Sequence, residues 1–332
     1  MPDPTDRRFL TPATAVLVSL AVIAAAIAAA ATAGGVPFFT LPVVDVGVPI
    51  QPFGTIVVAG VLIGAAVLRR HAARSGIDPD DARSLTLWVI LTGAVGAHVF
   101  EALMYQRARL AADPLFLVKL WDGISSYGGF IGGAIGYVAF VRWKRLPAGA
   151  VADATILGLL VAFSIGRIGC TIIHDHIGAA TTFWTGTDYP HAELARRHLL
   201  AEFPGAGAIV RAHNLGMYEL LYLLPVNALA LSLAFGQRRL PPGFVAALVA
   251  LLYVPVRFAL EFLRLDVSDP RYAGLTFAQW CSFLAFGAAV AAAVVVWTRG
   301  ERARARARGD GERGGGAPRA KKARALAARR RL

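Results

Sequence analysis

The segment 164–176 places several reactive side chains at the end of a long apolar run. Arg167 is bracketed by glycines, and a thiol, Cys170, and a His-Asp-His cluster follow it at once. If the preceding helix continues through this segment, Arg167, Cys170 and His174 share one helical face. Ionisable groups at membrane depth are costly to bury and usually functional, so we expect chemistry at this segment.

A second charged group occurs at helical spacing near the end of another apolar run. Arg257, Glu261 and Arg264 lie at positions i, i+4 and i+7, on one face of a helix. The group either locks helices together or, with the donors that remain on an arginine, holds a phosphate in a bidentate manner. Glu219, one turn inside a further apolar span, also needs a partner, and an arginine is the natural choice.

The segment 121–133 begins with Trp121 and contains a Ser-Tyr-Gly-Gly turn. Its glycines, Gly128 and Gly129, permit close packing of helices, and the same turn suits a bound lipid headgroup. Tyr127 could belong to an interfacial aromatic belt or contact that headgroup. Both interpretations stay open.

Metal binding is a weaker hypothesis. His174 and His176, with Asp175 between them, could bind zinc or copper if this segment is extended. The two cysteines, Cys170 and Cys281, form no Cys-x-x-Cys pair, so neither a disulfide framework nor a zinc ribbon is indicated. We expect neither a resident metal nor a cofactor.

The composition is typical of a polytopic membrane protein. The 332-residue chain is 56% hydrophobic and only 17% charged, with a mean hydropathy of +0.56. Several apolar runs approach the roughly 20 residues that cross a bilayer. We therefore predict an all-α fold with about eight transmembrane helices. They cover roughly residues 13–33, 50–69, 85–105, 124–142, 148–168, 216–236, 243–263 and 275–297.

The distribution of Lys and Arg predicts the orientation of these helices. Most basic loop residues fall on one side of the eight-helix arrangement, which the positive-inside rule makes cytoplasmic, together with both termini. These residues are Arg7, Arg8, Arg69, Arg70, Arg74, Arg142, Lys144, Arg145, Arg238, Arg239 and the arginines of the C-terminal tail. The long polar loop 169–215, with a possible short helix from His191 to Phe203, then faces outward.

Three regions follow from this arrangement: an extra N-terminal helix with its outer loop (1–49), a membrane body (50–297) and a basic tail (298–332). From Arg299 onward the tail has 13 Lys and Arg and 3 acidic residues, and carries +10 of the net charge of +13. A basic run can bind nucleic acid, but no aromatic residues are interleaved with these arginines. We predict a disordered cytoplasmic tail that contacts anionic membrane lipids, and no nucleic-acid partner.

Taken together, these motifs resemble the prolipoprotein diacylglyceryl transferase family of bacterial inner membranes, over about residues 50–297. An ordered set of motifs at matching intervals carries the resemblance. They are Pro52-Phe53-Gly54, the basic segment 69–79, Gly96 to Phe100, Trp121 to Gly133, Gly166-Arg167-Ile168-Gly169, Tyr218-Glu219, Arg257 to Arg264, and Leu275-Thr276 with Gln279. The family body has seven helices, so the helix at 13–33 is additional.

The resemblance implies an activity. Members of the family transfer a diacylglyceryl group from phosphatidylglycerol to the thiol of a lipobox cysteine in a prolipoprotein, and release glycerol phosphate. By this resemblance, Arg167 and Arg257 bind the lipid phosphate, and Glu219 and Glu261 hold those arginines. Further residues that it places at the lipid phosphate are Gly128, Gly129, Cys170 and Arg264.

Several positions differ from the family pattern, among them His98 for an arginine and Phe53 for a tyrosine, and two others bear directly on the chemistry. Tyr127 stands where the family usually has the histidine of a His-Gly-Gly motif, and Cys170 stands where it usually has an asparagine. A phenol with a pKa near ~10 is a weak base at neutral pH, so Tyr127 and the nearby His174 are both candidates for the base. Two alternatives remain: a divergent paralogue that uses the same lipid site for another acceptor, and a non-enzymatic membrane protein that binds lipid or metal.

Overall fold

The computed structural model describes a predominantly helical chain. It describes residues 11–45, 49–119, 122–123, 125–205, 207–237, 240–265, 267 and 271–328, with the backbone alone described for 303–328. Outside this described part lie Arg7, Arg8, Trp121, Arg238, Arg239 and the terminal arginines 329–331.

Eight long helices and two short ones occur in the described part. They are α1 (Pro12–Thr32), α2 (Pro52–Arg74), α3 (Pro79–Met104), the short α4 (Arg107–Ala112), α5 (Ser126–Lys144), α6 (Ala148–Ile173), the short α7 (His191–Arg196), α8 (Leu215–Phe235), α9 (Phe244–Leu260) and α10 (Phe277–Ala328). Seven of the long helices are long and apolar enough to cross a membrane. The other, α5, has 19 residues, five of which are glycines, and it packs against α3. The chain is an all-α multi-pass membrane protein, as its composition predicts.

Short strands and 3₁₀ turns connect the helices. The strands are β1 (Val36–Pro37), β2 (Val44–Asp45), β3 (Pro49–Ile50), β4 (Ile177–Ala180), β5 (Thr187–Pro190), β6 (Ile209–Asn214), β7 (Arg271–Tyr272) and β8 (Leu275–Thr276). The 3₁₀ turns cover Pro114–Val118, Leu200–Glu202 and Glu261–Leu263.

Local sequence signals account for several helix starts. Asp78 caps α3, because its carboxylate accepts hydrogen bonds from the amides of Asp80 and Asp81, and Pro79 occupies the first helical position. Asn214 caps α8 in the same way, through the amide of Met217 at 3.1 Å. The cap at Asn214 joins β6 directly to α8, and so fixes the start of the helix that carries Glu219.

Two helix pairs pack through glycine contacts. α2 packs against α6 and α3 against α5. A Cβ atom on Gly64 of α2 would lie 2.4 Å from the carbonyl oxygen of Gly158 on α6. A Cβ atom on Gly132 of α5 would lie 2.3 Å from the carbonyl oxygen of Thr92 on α3. These helices approach each other at backbone distance, as small residues allow in membranes.

The segment after α6 forms a small sheet at one end of the bundle. Its strand order is β1-β5-β6-β4, in which β1 is parallel to β5 and the other pairs are antiparallel. The helix expected from His191 to Phe203 is shorter: α7 ends at Arg196, because His198 has a φ of 58° in the left-handed region. A separate 3₁₀ turn follows at Leu200–Glu202. The loop is therefore a folded cap over the helix ends.

The additional N-terminal helix is joined to this cap. α1 packs against α8, and β1, which follows α1, pairs with β5. The Arg211 side chain of β6 donates to the carbonyl of Gly34 and to Asp188. The N-terminal helix is thus held both by α8 and by the strands of the cap.

The other end of the bundle carries the basic residues. The C-terminal ends of α2 and α5 lie there, with Arg70 and Arg74 against the ring of Phe235 and Lys144 paired with Asp81 at 3.0 Å. The backbone of α10 continues as a helix to Ala328, through the tail for which the composition predicts disorder. The disorder of that tail stays a prediction.

Candidate active site

Helix α6 carries Arg167 and Cys170 to the end of the bundle next to the sheet. Arg167 Nη1 donates to Cys170 Sγ at 3.6 Å, across one helical turn. The expectation that His174 continues this face is wrong. α6 ends at Ile173, and His174 has a left-handed backbone with φ 52° and ψ 45°, which turns the chain away from the helix axis.

The buried Arg167 pairs with Glu219 of α8. The distance between Arg167 Nε and Glu219 Oε2 is 2.8 Å, and both side chains are less than 7% exposed. The hydroxyl of Tyr253 on α9 donates to the other carboxylate oxygen of Glu219. Glu219 thus engages Nε, while Nη1 contacts Cys170 and His176.

Two aromatic residues near the arginines were missed by the sequence interpretation. The guanidinium of Arg167 lies 4.7 Å from the ring centroid of Phe163, a cation–π contact. Tyr253 is linked to Arg167 indirectly, because its hydroxyl donates to Glu219, which pairs with Arg167. Phe163 and Tyr253 each stand four residues before a site arginine, Arg167 and Arg257, and this i, i+4 spacing was the available signal.

A second ion-pair group lies at the end of α9. Arg257 Nη1 lies 2.6 Å from Glu261 Oε2, and Arg264 Nη1 lies 3.4 Å from Glu261 Oε1. Arg257 Nη2 donates to the hydroxyl oxygen of Tyr127 at 2.5 Å. Glu261 is fully buried, so one carboxylate holds two arginines and the nearer one reaches α5.

Both arginines face one cavity of about 560 Å³ between α5, α6, α8, α9 and α10. Its polar groups include Arg167, Arg257, Tyr127 and Tyr253, close to the helix ends next to the sheet. The rest of the lining is mainly apolar and includes Phe130, Ala134, Leu160, Leu223, Val249 and Ala285. Lining residues such as Ile131 and Leu284 are also exposed on the outside of the bundle, so the cavity opens laterally between helices. Such a shape fits an amphiphile with an anionic head and an apolar body.

The two glycines predicted to contact lipid have different surroundings. A Cβ atom on Gly128 would lie 2.3 Å from the carbonyl oxygen of Gly96 on α3, so this glycine serves helix packing. A Cβ atom on Gly129 would have ordinary contacts at 3.8 Å. Of the Ser-Tyr-Gly-Gly turn, Ser126 and Tyr127 line the cavity. The packing interpretation therefore accounts for Gly128.

His174 lies under the sheet, away from the cavity. Its Nε2–H donates to the carbonyl of Phe39 at 2.9 Å, and its Nδ1 accepts from the Tyr189 hydroxyl at 3.2 Å and the Asn214 amide at 3.1 Å. Burial lowers the pKa of His174 below its ordinary value. The ring is 97% buried and joins the N-terminal segment to the cap. This placement favours a structural role over the catalytic one considered for it.

Cys170, Asp175 and His176 form a cluster beside Arg167. One ligand-type atom from each lies within 4.8 Å of the others, while His174 is not in the cluster. The Arg167 guanidinium contacts both Cys170 and His176, so a cation already occupies this side of the cluster. Burial raises the pKa of Asp175, but the hydrogen bond from His176 and the charge of Arg167 outweigh it and leave the pKa below its ordinary value. The cluster suits proton transfer or an anion better than a metal ion.

Comparisons with known proteins agree with this geometry. The sequence model of the family described as prolipoprotein diacylglyceryl transferase matches residues 42–297. A phosphatidylglycerol–prolipoprotein diacylglyceryl transferase of Chromohalobacter salexigens is 33% identical over 78% of this chain and 94% of its own length. A transferase of that name numbered 2, from Streptomyces coelicolor, is 32% identical over 75% of this chain and 76% of its own. One from Gloeobacter violaceus is 28% identical over 66% and 79%. With two buried arginines at the head of an apolar cavity and a match over most of its length, the chain belongs to the prolipoprotein diacylglyceryl transferase family.

Proposed function

We propose that this protein transfers the diacylglyceryl group of phosphatidylglycerol to the thiol of a lipobox cysteine in prolipoproteins. The names of its relatives give this reaction for those proteins. One structural observation carries the proposal to this chain: Arg167 and Arg257 lie together at the polar end of a cavity whose remaining lining is mainly apolar.

The charge distribution of the cavity suits the bond that must break. The leaving group is glycerol phosphate, whose phosphate gains negative charge as its bond to the glyceryl carbon lengthens. Fixed cationic donors aimed at that phosphate stabilise the transition state more than the ground state. Arg167 and Arg257 are held by Glu219 and Glu261, so their positions do not depend on the lipid.

The surroundings of the cavity suit the lipid substrate. The lateral opening lets acyl chains remain in the bilayer while the headgroup lies against the arginines. Arg264 and Tyr127 would assist by holding Glu261 and Arg257 in place. Membrane lipids are therefore both the solvent and one substrate of this protein.

We place the protein in the bacterial inner membrane with both termini cytoplasmic. The basic ends of α2 and α5 support this orientation through the positive-inside rule. The sheet and the polar end of the cavity would then face the outer side, where secreted prolipoproteins arrive.

Complementation tests the proposed function. The gene is expressed in bacteria depleted of their own transferase, and growth and the lipid modification of a reporter prolipoprotein are measured. We expect wild-type protein to restore both, and Arg167→Ala at equal membrane abundance to restore neither. The proposal would be contradicted if the Arg167→Ala variant still modified the reporter prolipoprotein. It would also be contradicted if the wild type did not modify it.

A further inference from the structure

The transfer reaction needs a base for the acceptor thiol, and the assignment of that base rests on the proposed function. The nucleophile is the thiolate, and an ordinary cysteine has a pKa of about 8.5. The Tyr127 hydroxyl accepts a hydrogen bond from Arg257, and a phenol is a weak base. His174 lies under the sheet, where its ring is bonded to Phe39 and Tyr189 rather than placed beside Arg167. Neither of these residues is well placed to take the proton.

His176 has the contacts that a base at this site needs. All seven histidines lie in the described part of the chain, and within it His176 is the one whose ring contacts Arg167. The distance between His176 Nε2 and Arg167 Nη1 is 3.5 Å. Because the carbon under attack is bonded to an ester oxygen of the phosphate, a phosphate on Arg167 brings that carbon close to His176.

Asp175 sets the tautomer of the His176 ring. His176 Nδ1–H donates to Asp175 Oδ1 at 2.5 Å, which leaves Nε2 as the unprotonated nitrogen of a neutral imidazole. A carboxylate on Nδ1 also stabilises the imidazolium that forms when Nε2 accepts a proton. Nε2 accepts only a long hydrogen bond of 3.5 Å from Arg167 Nη1, which the guanidinium would exchange for the lipid phosphate, and Nε2 would then accept the proton of the thiol.

We propose that His176 is the general base of the transfer and that Asp175 is its positioning residue. His176 Nε2 takes the proton of the acceptor thiol, and the sulfur forms a bond to the glyceryl carbon. The bond between that carbon and the phosphate oxygen breaks, and its electron pair leaves with glycerol phosphate. The imidazolium then returns its proton to the released phosphate or to water, so protons and electrons balance.

The test is transfer by the purified full-length protein, with labelled phosphatidylglycerol and a synthetic lipobox peptide. For His176→Gln we expect kcat to fall roughly 10²–10⁴-fold, the usual contribution of a general base, with the KM for lipid unchanged. For Asp175→Asn we expect a smaller fall in kcat, also at unchanged KM. The matched control is His191→Gln, an exposed histidine of α7 on the same end of the molecule, which should keep the wild-type rate.

A second variant separates chemistry from folding. In His176→Gly, free imidazole should restore part of the lost rate, which it would not do for a merely structural residue. If the His176→Gln variant transfers at the same rate as the wild type, the inference about the base is overturned, and the proposed function stands. A diacylglyceryl adduct on Cys170, or a stoichiometric metal that His176→Gln loses, would also overturn it. No transfer by the wild type would overturn both.

Discussion

Two buried carboxylates determine what the arginines of the cavity can do. Glu219 takes Nε of Arg167, and Glu261 takes Nη1 of Arg257. Each guanidinium has five N–H donors in a fixed fork, so donors remain for a phosphate after the ion pair is made. The pairs also lower the cost of placing four charges at membrane depth. In the proposed reaction, the same residues therefore stabilise the helices and bind the lipid phosphate.

Replacement of Arg167 by lysine tests whether the remaining N–H donors of its guanidinium bind the phosphate. A lysine ammonium can pair with Glu219 but lacks the further N–H donors of the guanidinium fork. We expect Arg167→Lys to lower kcat by about 10²–10³-fold, the cost of one transition-state donor. Transfer to a lipobox peptide is the measurement. Arg211→Lys, whose arginine pairs with Asp188 in the sheet, is the control and should transfer at the wild-type rate.

Replacement of Tyr127 by phenylalanine tests whether the phenol acts as the base. If Tyr127 only supports Arg257, the variant loses one hydrogen bond of about 0.5–1.5 kcal/mol, and activity falls less than about tenfold. A fall of 10²–10⁴-fold would instead identify the phenol as the base. Tyr272→Phe, on the exposed hairpin of β7 and β8, controls for general effects of the substitution.

The sequence predicted some residue pairs and not others, for a geometric reason. The Arg257–Glu261 pair lies within one helix, where an i, i+4 spacing fixes the contact. The partner of Glu219 could not be chosen from the sequence, because the contact crosses from α8 to α6. His176 was not preferred over His174, because the left-handed turn at His174 that separates their surroundings has no clear local signal.

The pairing of α3 with α5 combines one row of glycines with a cluster of apolar side chains that includes Leu85 and Phe140. Gly128 and Gly132 of α5 meet the backbone of α3, whereas Gly133 lies beside that row. The role of α5 in the bundle therefore follows from packing and could be anticipated only from glycine spacing.

Two substitutions at neighbouring glycines distinguish a position inside this row from a position beside it. Gly132→Ala would place a Cβ 2.3 Å from the Thr92 carbonyl oxygen, a backbone atom that cannot move aside. Gly133→Ala would place one 3.6 Å from Val89 Cγ1, an ordinary contact. We expect the first to cost about 1–3 kcal/mol and the second to be tolerated. Thermal unfolding in detergent measures both, and equal midpoints would contradict the packing described for α5.

Arg197 holds the end of α6 below the sheet. It donates to the carbonyls of Ile173 at 2.7 Å and His174 at 2.8 Å, and Glu193 pairs with it at 2.6 Å. These are carbonyls that a helix C-terminus leaves without partners. The segment that carries Cys170 and His176 is thereby tied to α7.

A second matched pair tests this connection. Arg197→Gln should destabilise the protein by about 1–3 kcal/mol, because charged hydrogen bonds to buried carbonyls are lost. Arg196→Gln removes a 70% exposed arginine from the same Glu193 and should cost about 0–1 kcal/mol. Unfolding midpoints in detergent are the measurement. If Arg196→Gln costs as much as Arg197→Gln, the contact with α6 is not what stabilises the cap.

The molecule has two ends of different character. One carries the sheet and the polar end of the cavity, and the other carries the basic ends of α2 and α5. The sequence predicted the helices and the basic end of the bundle, because the lengths of the apolar runs and the positions of Lys and Arg can be taken directly from it. The sheet was not predicted, because its strands have two to six residues and β1 pairs with a strand about 150 residues away.

Reporter fusions test the orientation of these ends. Alkaline phosphatase, which is active only outside the cytoplasm, should be active when fused after Gly205 in the cap and inactive when fused after Leu146 between α5 and α6. A fluorescent protein that folds only in the cytoplasm should give the opposite result. The reverse pattern would place the basic end outside and contradict the assigned topology.

The most direct measurement follows both halves of the lipid in one reaction. Phosphatidylglycerol labelled separately in its acyl chains and its headgroup glycerol is incubated with purified protein and a lipobox peptide. We predict one diacylglyceryl peptide for each glycerol phosphate released, and neither product when serine replaces the cysteine of the peptide. Lipid that stays intact, or glycerol phosphate released without a peptide adduct, would contradict the assignment of this protein as a diacylglyceryl transferase.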